Sequence, residues 1–509
     1  MRSNRTYEAP WFAGRQHRDG RRRRTGTRAG SVLRRVAGGR SPVPPESASP
    51  RWVFALVATA AFLATLDLFI VNIAFPSIQA GFRGASLSGV SWVLNGYAIV
   101  FAALLVPAGK VADIVGRRRV FVVGLLVFGT GSALCAAAVS LPMLIGARVL
   151  QAAGAAAVTP TSLGLLLPVL APQRRPAAIG AWAAIGAVGA AAGPPLGGLL
   201  TQLSWHWIFI VNVPLAFTAA LLSLRSLPEI RDAERPRLPD ALGSALLVGA
   251  VGLTTLALVE APSWSWDVRA WGVLGVAGIL AAVFVRRSAR HPAPVLELSI
   301  LRVRAFGLAS VAAALFFAAF GAMLLANVIF LTSVWHYSAL RAGIALTPGP
   351  ITAALLAPWS GKLSKRIGPG PVGAAGAVLF AAGSVWWIAR IGLAPHYFTQ
   401  FLPGMVIGGT GVGVVLPSFT VAASATLPPA RLSTGIGAQT MFRQIGATIG
   451  VATFVAILGT PHGPGVLDAF NNTRVFMITA AAIAAGALLA IRPTTRSASA
   501  TPAAVTQSA

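Results

Sequence analysis

Long apolar blocks, each interrupted by a short polar or basic stretch, run through this chain from Trp52 almost to its end. Fourteen can be drawn, at 52–74, 90–109, 119–139, 142–169, 176–200, 206–224, 241–259, 269–286, 305–331, 342–361, 369–390, 397–418, 433–457 and 470–491. Each holds about 18–28 residues; a hydrocarbon core needs about 20 in helical form, and longer runs can tilt. The apolar residues fill each block rather than marking one stripe of an amphipathic helix. The pattern predicts an all-α polytopic membrane protein with fourteen transmembrane helices.

Basic residues test that count, because cytoplasmic segments collect Lys and Arg. With residues 1–51 on the cytoplasmic side, 34 of the 41 basic residues fall in cytoplasmic segments, among them Lys110, Arg117, Arg118 and Arg119. Only 5 fall outside: Arg83, Arg269, Arg341, Arg390 and Arg474. Setting the first 51 residues aside leaves 21 against 5, and Arg148 and Arg443 lie within spans. A wrong helix count would scramble this alternation, so the chain is expected in the cytoplasmic membrane, multi-pass, with both termini cytoplasmic. The net charge of +28 is then a topology signal. Residues 1–51, with Arg21–Arg24 at their centre, read as a basic disordered tail. Anionic lipid headgroups could attract it; no aromatic or fold signal beside the arginines points to nucleic acid.

Composition agrees: 509 residues, 55% hydrophobic and 11% charged, with mean hydropathy +0.73, against about 25% charged in a soluble domain. The one cysteine, Cys135, excludes a disulfide framework and a cysteine-rich metal site. No metal and no cofactor is expected.

The turn after the second block, Gly109-Lys-Val-Ala-Asp113-Ile-Val-Gly116, has a counterpart after the tenth, Gly361-Lys-Leu-Ser-Lys365-Arg-Ile-Gly368. Duplicated halves are the usual build of secondary transporters, with the pathway between them. The expected organisation is a tail at 1–51, a six-helix bundle at 52–224, a linker with two extra helices at 225–304, a second six-helix bundle at 305–492 and a tail at 493–509.

Asp67 is the residue most charged with meaning. A carboxylate inside a span costs about 2.5–3.5 kcal/mol on insertion scales and marks an ion or substrate pathway by default. Arg148, in the fourth block, cannot shed its charge and needs a partner or a wet cavity. Counted from the outer ends of their blocks, both lie about seven residues, roughly 10 Å, deep. They could therefore face each other; the alternative is an Arg148 that snorkels or bonds only carbonyls.

Four stretches resemble the major facilitator superfamily and, within it, the fourteen-helix drug:proton antiporter branch (EmrB/QacA type). Gly109 to Arg119 is similar to the signature loop G-x-L-A-D-R-x-G-R-R/K, with Ile114 in place of a basic residue. The resemblance implies a conformational latch built from Gly109, Asp113, Gly116, Arg117 and Arg118. Asp113 could pair with Arg117 and accept backbone N–H bonds at a helix start. Gly180, Gly189, Gly193, Pro194, Gly197 and Gly198 match G-x8-G-x3-G-P-x-x-G-G, the antiporter signature. Gly189, Gly193 and Gly197 share one face and admit close helix contact, and Pro194 permits a kink. Arg148-Val-Leu-Gln151-Ala-Ala-Gly154 resembles R-x-x-Q-G-x-G. Trp205-His206-Trp207-Ile-Phe-Ile-Val-Asn212-Val-Pro214 resembles W-R-W-x-F-x-x-N-x-P, with His206 read as an interfacial polar residue. Around Asp67 the resemblance is to L-D-x-T-I-V-N-V-A-L-P, with Phe69 for the threonine, a change that removes a hydroxyl near Asp67.

The resemblance implies the two-bundle fold with two inserted helices and a proton-coupled exporter of small amphiphilic molecules. Asp67 and Arg148 would couple the proton, with proton and substrate sharing a cavity. Asn72, Asn95, Tyr97, Gln151, Asn327, Gln439 and Arg443 are candidates to line that cavity. Each polar residue taken alone is as readily a helix–helix hydrogen bond. Asp67 is the one carboxylate read deep in a span, which favours neutral, zwitterionic or weakly anionic cargo over dications. Open alternatives are a same-fold exporter of one endogenous metabolite, antibiotic or lipid, and a facilitator without proton coupling. Expected partners are the substrate, protons and the lipid bilayer, with the chain a monomer and no nucleic acid bound. An enzyme is disfavoured, since no H-E-x-x-H or nucleophile–base pairing is present. An ATP-driven pump would need a phosphate loop, and a channel a repeated selectivity element; neither is visible.

Overall fold

The computed structural model describes residues 49–231, 239–427, 432–459 and 465–491. The tails expected at 1–51 and 493–509 lie outside these residues, apart from 49–51. So do 232–238 of the linker, with Arg235 and Arg237, and also Arg431, Arg492 and Arg496.

Among the described residues, fourteen helices long and apolar enough to cross a bilayer follow one another. They are α1 (Pro50–Gly81), α2 (Leu87–Val115), α3 (Arg117–Ala136), α4 (Leu141–Val169), α5 (Ala177–Leu203), α6 (Trp207–Ser226), α7 (Ala241–Glu260), α8 (Val268–Arg290), α9 (Arg304–Val334), α10 (Ala339–Ile367), α11 (Pro369–Arg390), α12 (Tyr397–Ala422), α13 (Thr434–Leu458) and α14 (Val466–Leu489). No strand occurs among the described residues. With an even number of crossings, the start of α1 and the end of α14 lie on one side, called here the terminal face.

Side-chain caps explain several starts. Ser86, Ser140 and Ser338 accept backbone N–H bonds from Gly89, Met143 and Arg341 at the openings of α2, α4 and α10. Asp240 and Asp267 do the same for α7 and α8. Each satisfies a donor that the helix itself cannot.

Three helix ends differ from expectation. Residues 109–115 and 361–367 are not turns but the last helical turns of α2 and α10. Each reversal is made by a single glycine, Gly116 at φ 124° and Gly368 at φ 98°, conformations that side chains disfavour. Likewise α1 continues through Pro76 to Gly81, so Asp67 sits near its middle rather than seven residues from its end. Pro76 leaves one carbonyl without its helical donor but does not stop the helix.

One large apolar core joins the halves toward the face opposite the termini. Ile70, Phe75, Val93 and Phe209 share it with Phe316, Phe330, Ala342 and Leu346. The final third of α5 packs directly on the opening of α10: a Cβ on Gly198 would meet Leu340 Cα at 2.7 Å, and one on Gly343 would strike the Pro194 carbonyl. Toward the terminal face the same two helices bare their surfaces, with Val188, Leu355 and Trp359 59%, 66% and 71% exposed. Helix α7 packs against α2 and α13, across the seam between the halves, while α8 rests mainly on α7.

Candidate functional site: a carboxylate sealed within the first six helices

Asp67 is fully buried. Its Oδ2 accepts a hydrogen bond from Arg148 Nη1 at 2.6 Å. Its Oδ1 accepts from Gln151 Nε2 at 2.8 Å and from Asn212 Nδ2 at 3.2 Å. Arg148, itself 1% exposed, also donates from Nη1 to Gln151 Oε1 at 2.6 Å and from Nε to the Val93 carbonyl at 3.1 Å. Gln151 Nε2 reaches Ser132 Oγ at 2.7 Å. The Tyr97 ring lies under the guanidinium, 4.1 Å from its Cζ. Five helices, α1, α2, α3, α4 and α6, thus contribute to one closed network.

Helical spacing builds it. Arg148 and Gln151 are three residues apart and share the face of α4 that meets α1. Close approach of α3 and α4 brings Ser132 into reach, since Gly131 rests on the Gln151 backbone, where a Cβ would come within 2.7 Å. The break in α6 at Val211 places Asn212 at the start of its second segment, facing α1.

The expected pairing of Asp67 with Arg148 is therefore present. Two expectations change. Asp67 does not open onto a shared cavity; it is enclosed by its own bundle. Gln151 is not a cavity residue but a second donor to the carboxylate. Loss of the hydroxyl at Phe69 costs Asp67 nothing visible, because Gln151 and Asn212 supply the donors. The Phe69 ring turns instead toward α9, with centroids 6.4 Å from Phe320.

The other cavity candidates are dispersed. Asn72 donates to the Leu68 carbonyl at 2.7 Å, within its own helix. Asn95 donates weakly to Ser91 Oγ, at 3.4 Å, and leaves Oδ1 without a partner. Tyr97 is buried with its hydroxyl unbonded. Asn327 is buried on α9 with a free Nδ2. Gln439 donates to the Phe419 carbonyl at 2.8 Å. Arg443 is half-buried, its Cζ 4.4 Å from the centroid of the Phe317 ring. No three His, Cys, Asp or Glu side chains among the described residues could hold a metal together.

At the terminal face, Arg117 pairs with Asp113 at 2.9 Å and donates to the Gly164 carbonyl, also at 2.9 Å. Gly109 approaches Pro160. The carboxylate that caps α3 is not Asp113, however. Glu229, from the segment after α6, accepts the Arg118 backbone N–H at 3.2 Å and lies 3.8 and 3.6 Å from the Arg118 and Arg119 side chains. Asp113 projects from the end of α2 and is spent on Arg117, leaving the helix start to the linker. Glu229, Asn212 and Ser132 were missed in the sequence. Asn212 alone had a signal, its place in the W-x-W-x-F-x-x-N-x-P stretch.

The antiporter-type glycines do pack closely. Cβ atoms on Gly189, Gly193 and Gly197 would meet the Phe62 carbonyl at 2.9 Å, Phe69 Cβ at 2.5 Å and Ile70 Cγ1 at 3.0 Å, all on α1. Gly198 faces α10 instead, and Gly180 has nothing near it. The helix runs unbroken through Pro194.

Several known proteins are similar to this chain. The chain is 34% identical over 402 residues to the multidrug resistance protein Stp of Mycobacterium tuberculosis, covering 78% of this chain and 74% of that one. To the tetracenomycin C resistance and export protein of Streptomyces glaucescens it is 32% identical over 438 residues, covering 84% and 80%. In fold it is similar to an inward-facing bacterial homologue of the human lysosomal transporter Spinster, with TM-score 0.62 at 17% identity over 87% of this chain and 96% of that one. The model of the Major Facilitator Superfamily matches residues 57–451 and 311–508. With that match over most of its length and relatives above 30% identity, the chain belongs to the Major Facilitator Superfamily.

Proposed function

We propose that this chain is a proton-coupled exporter of small amphiphilic molecules across the cytoplasmic membrane, with both termini in the cytoplasm. The relatives named for multidrug resistance and antibiotic export support the exporter part. The sealed Asp67–Arg148 pair is the observation that supports proton coupling. A buried ion pair is a poor device for stability, since apolar residues of similar volume often do as well or better. One at the heart of five helices therefore calls for a role beyond packing.

The reading works through the shared donors. Protonation of Asp67 cancels the charge that holds Arg148 Nη1. Arg148 then keeps only the Val93 carbonyl and Gln151 Oε1, and Gln151 and Asn212 lose a charged acceptor. Rearrangement of these contacts shifts α1 against α4 and α6. Helix α5, seated on α1 through Gly189, Gly193 and Gly197, moves with it and alters the α5–α10 contact that closes the face opposite the termini. The packed end of α5 corresponds to a state closed at the face opposite the termini. Proton and substrate then act on one conformational equilibrium from separate places, as linkage permits.

Everted vesicles offered a compound panel in the outer medium test this. Transport should collapse with a protonophore, and Asp67→Asn should abolish proton-driven uptake while leaving substrate counterflow. Protonophore-insensitive transport, or normal coupling in Asp67→Asn, would refute it.

A further inference from the structure

Three arginines of α4, α13 and α14 lie well inside their helices, including Arg474, which was expected outside the spans and is instead the ninth residue of α14, and they are served differently. Arg148 has Asp67. Arg474 donates to Asn471 Oδ1 at 2.7 Å and is 4% exposed. Arg443 has neither: six ion pairs occur among the described residues and none includes it. Its one electrostatic contact among the described residues is with the Phe317 ring face, at 4.4 Å. A guanidinium keeps its charge and carries five N–H donors in a planar fork that matches a carboxylate. A ring face offsets part of the charge but accepts none of those donors in the fork geometry.

The surroundings are aromatic and lie on the seam between the halves. Phe317 and Phe320 on α9 meet edge to face at 5.8 Å, and Phe320 meets Phe69 of α1 at 6.4 Å. Phe69 and Phe320 are only half-buried although α1 and α9 are central helices. Phe69 cannot face lipid, because Gly193 of α5 and Phe320 of α9 flank it. The one deep carboxylate, Asp67, is two residues away in sequence but turned into its own bundle and already paired. The seam therefore presents a cation, ring faces and no competing anion among the described residues.

We infer that Arg443, with Phe317, Phe320 and Phe69, binds the carboxylate and ring of a small aromatic acid between the two halves. The acid group takes the guanidinium fork, and the ring lies among the phenylalanines. The inference rests on the transporter reading only in taking the seam as the substrate route. It does not depend on proton coupling.

Binding can be measured without transport. Wild-type protein in lipid nanodiscs is titrated with radiolabelled 2-naphthoate, its methyl ester and 2-naphthylmethylammonium, with empty nanodiscs as baseline. The acid should bind at least about tenfold tighter than the ester, equivalent to about 1.4 kcal/mol, and the ammonium should bind weakest. Arg443→Gln should erase the preference for the acid, Arg443→Glu should shift it to the ammonium, and Phe317→Leu should weaken acid and ester alike. Slow labelling of the buried Cys135 thiol confirms that each variant is folded. Equal binding of acid and ester to the wild type, or unchanged acid binding in folded Arg443→Gln, would overturn the inference. Asp67→Asn should still bind naphthoate. Loss of acid preference with proton-driven transport intact would defeat this site alone; the reverse would defeat the proton reading alone.

Discussion

Removing both members of the Asp67–Arg148 pair should cost far less than the sum of removing each. In Arg148→Met the fully buried Asp67 carboxylate loses its 2.6 Å guanidinium partner and keeps only the amides of Gln151 and Asn212. Stranding a buried charge in this way costs about 3–5 kcal/mol. In Asp67→Leu the guanidinium keeps the Gln151 and Val93 oxygens, Gln151 Nε2 still has Ser132, and Asn212 Nδ2 loses its acceptor; the cost should be of the same order. The double variant Asp67→Leu/Arg148→Met buries no net charge and replaces both groups with apolar ones of similar bulk. Its cost should fall about 3 kcal/mol or more short of the sum of the singles, at the top of measured coupling energies. The chain supplies its own probe: Cys135 is the one cysteine of the sequence, has no exposed surface and lies 3.9 Å from Gln151 Oε1. A fluorophore that reacts with thiols will therefore report unfolding as it proceeds. Costs that add to within about 0.5 kcal/mol would mean uncoupled residues and would refute the geometry from which the proton reading is argued.

Gly193→Ala places a methyl where Phe69 Cβ would be 2.5 Å away; over-packing of this kind costs about 1–3 kcal/mol, to be read as earlier Cys135 labelling on heating, together with loss of transport. Glu229→Ala removes the carboxylate that caps α3 from outside it. A cap deletion costs about 1 kcal/mol, and the effect should be local, with faster hydrogen exchange at the Arg118 amide and little change in α5. His206, just ahead of α6, is bonded through Nδ1 to Ser204 Oγ at 2.6 Å, and burial pushes its imidazole below the usual 6.5. Because the folded value is the lower one, its contribution to stability is present above about pH 6.5 and is lost as pH falls through the folded value. Melting curves across that range should flatten on the acid side in His206→Gln; an unchanged slope would contradict the assignment.

Apolar block length was enough to read all fourteen helices, because in a bilayer the span itself is written in composition. The Asp67–Arg148 pairing was legible for a related reason: two charges that expensive must find each other. The equal depth read for the two residues holds, since they meet at 2.6 Å, but the end of α1 was misplaced: an apolar count stops at Ala74 while the helix runs on through Pro76 to Gly81. Gln151 was legible as a polar residue but not as a ligand of Asp67, because its direction depends on how closely Gly131 lets α3 approach α4. Glu229 was hidden altogether. It belongs to a linker far along the chain from Arg118, and no local periodicity announces a contact 111 residues away. The separation of Asp67 from the seam could not be read at all. Which side of α1 faces its own bundle and which faces α9 is decided by packing at Gly193 and Phe69, not by the residue types.

The inserted helices illustrate what such contacts imply for movement. Lys110 Nζ, at the end of α2, donates to the Pro294 carbonyl just after α8 at 2.6 Å. On the entry side, Arg117 N–H donates to the Ile230 carbonyl and Arg118 Nη1 to that of Leu227, beside the Glu229 contacts. Within the pair, Arg287 Nε of α8 donates to Asp240 at the start of α7 at 2.7 Å. The polar ties at both ends of the pair therefore lead to the α2–α3 turn of the first half. Toward the second half, α7 offers an apolar surface instead, with Leu247 and Val251 in one cluster with Ala438 and Met441 of α13. Directional bonds resist displacement, whereas apolar side chains can exchange neighbours at smaller cost. If the halves rock about the seam, α7 and α8 should travel with the first half and slide over α13. Cross-linking cysteines introduced at Lys110 and Pro294 should accordingly leave transport intact, whereas cross-linking Val251 to Ala438 should arrest it; the opposite pattern would assign the pair to the second half.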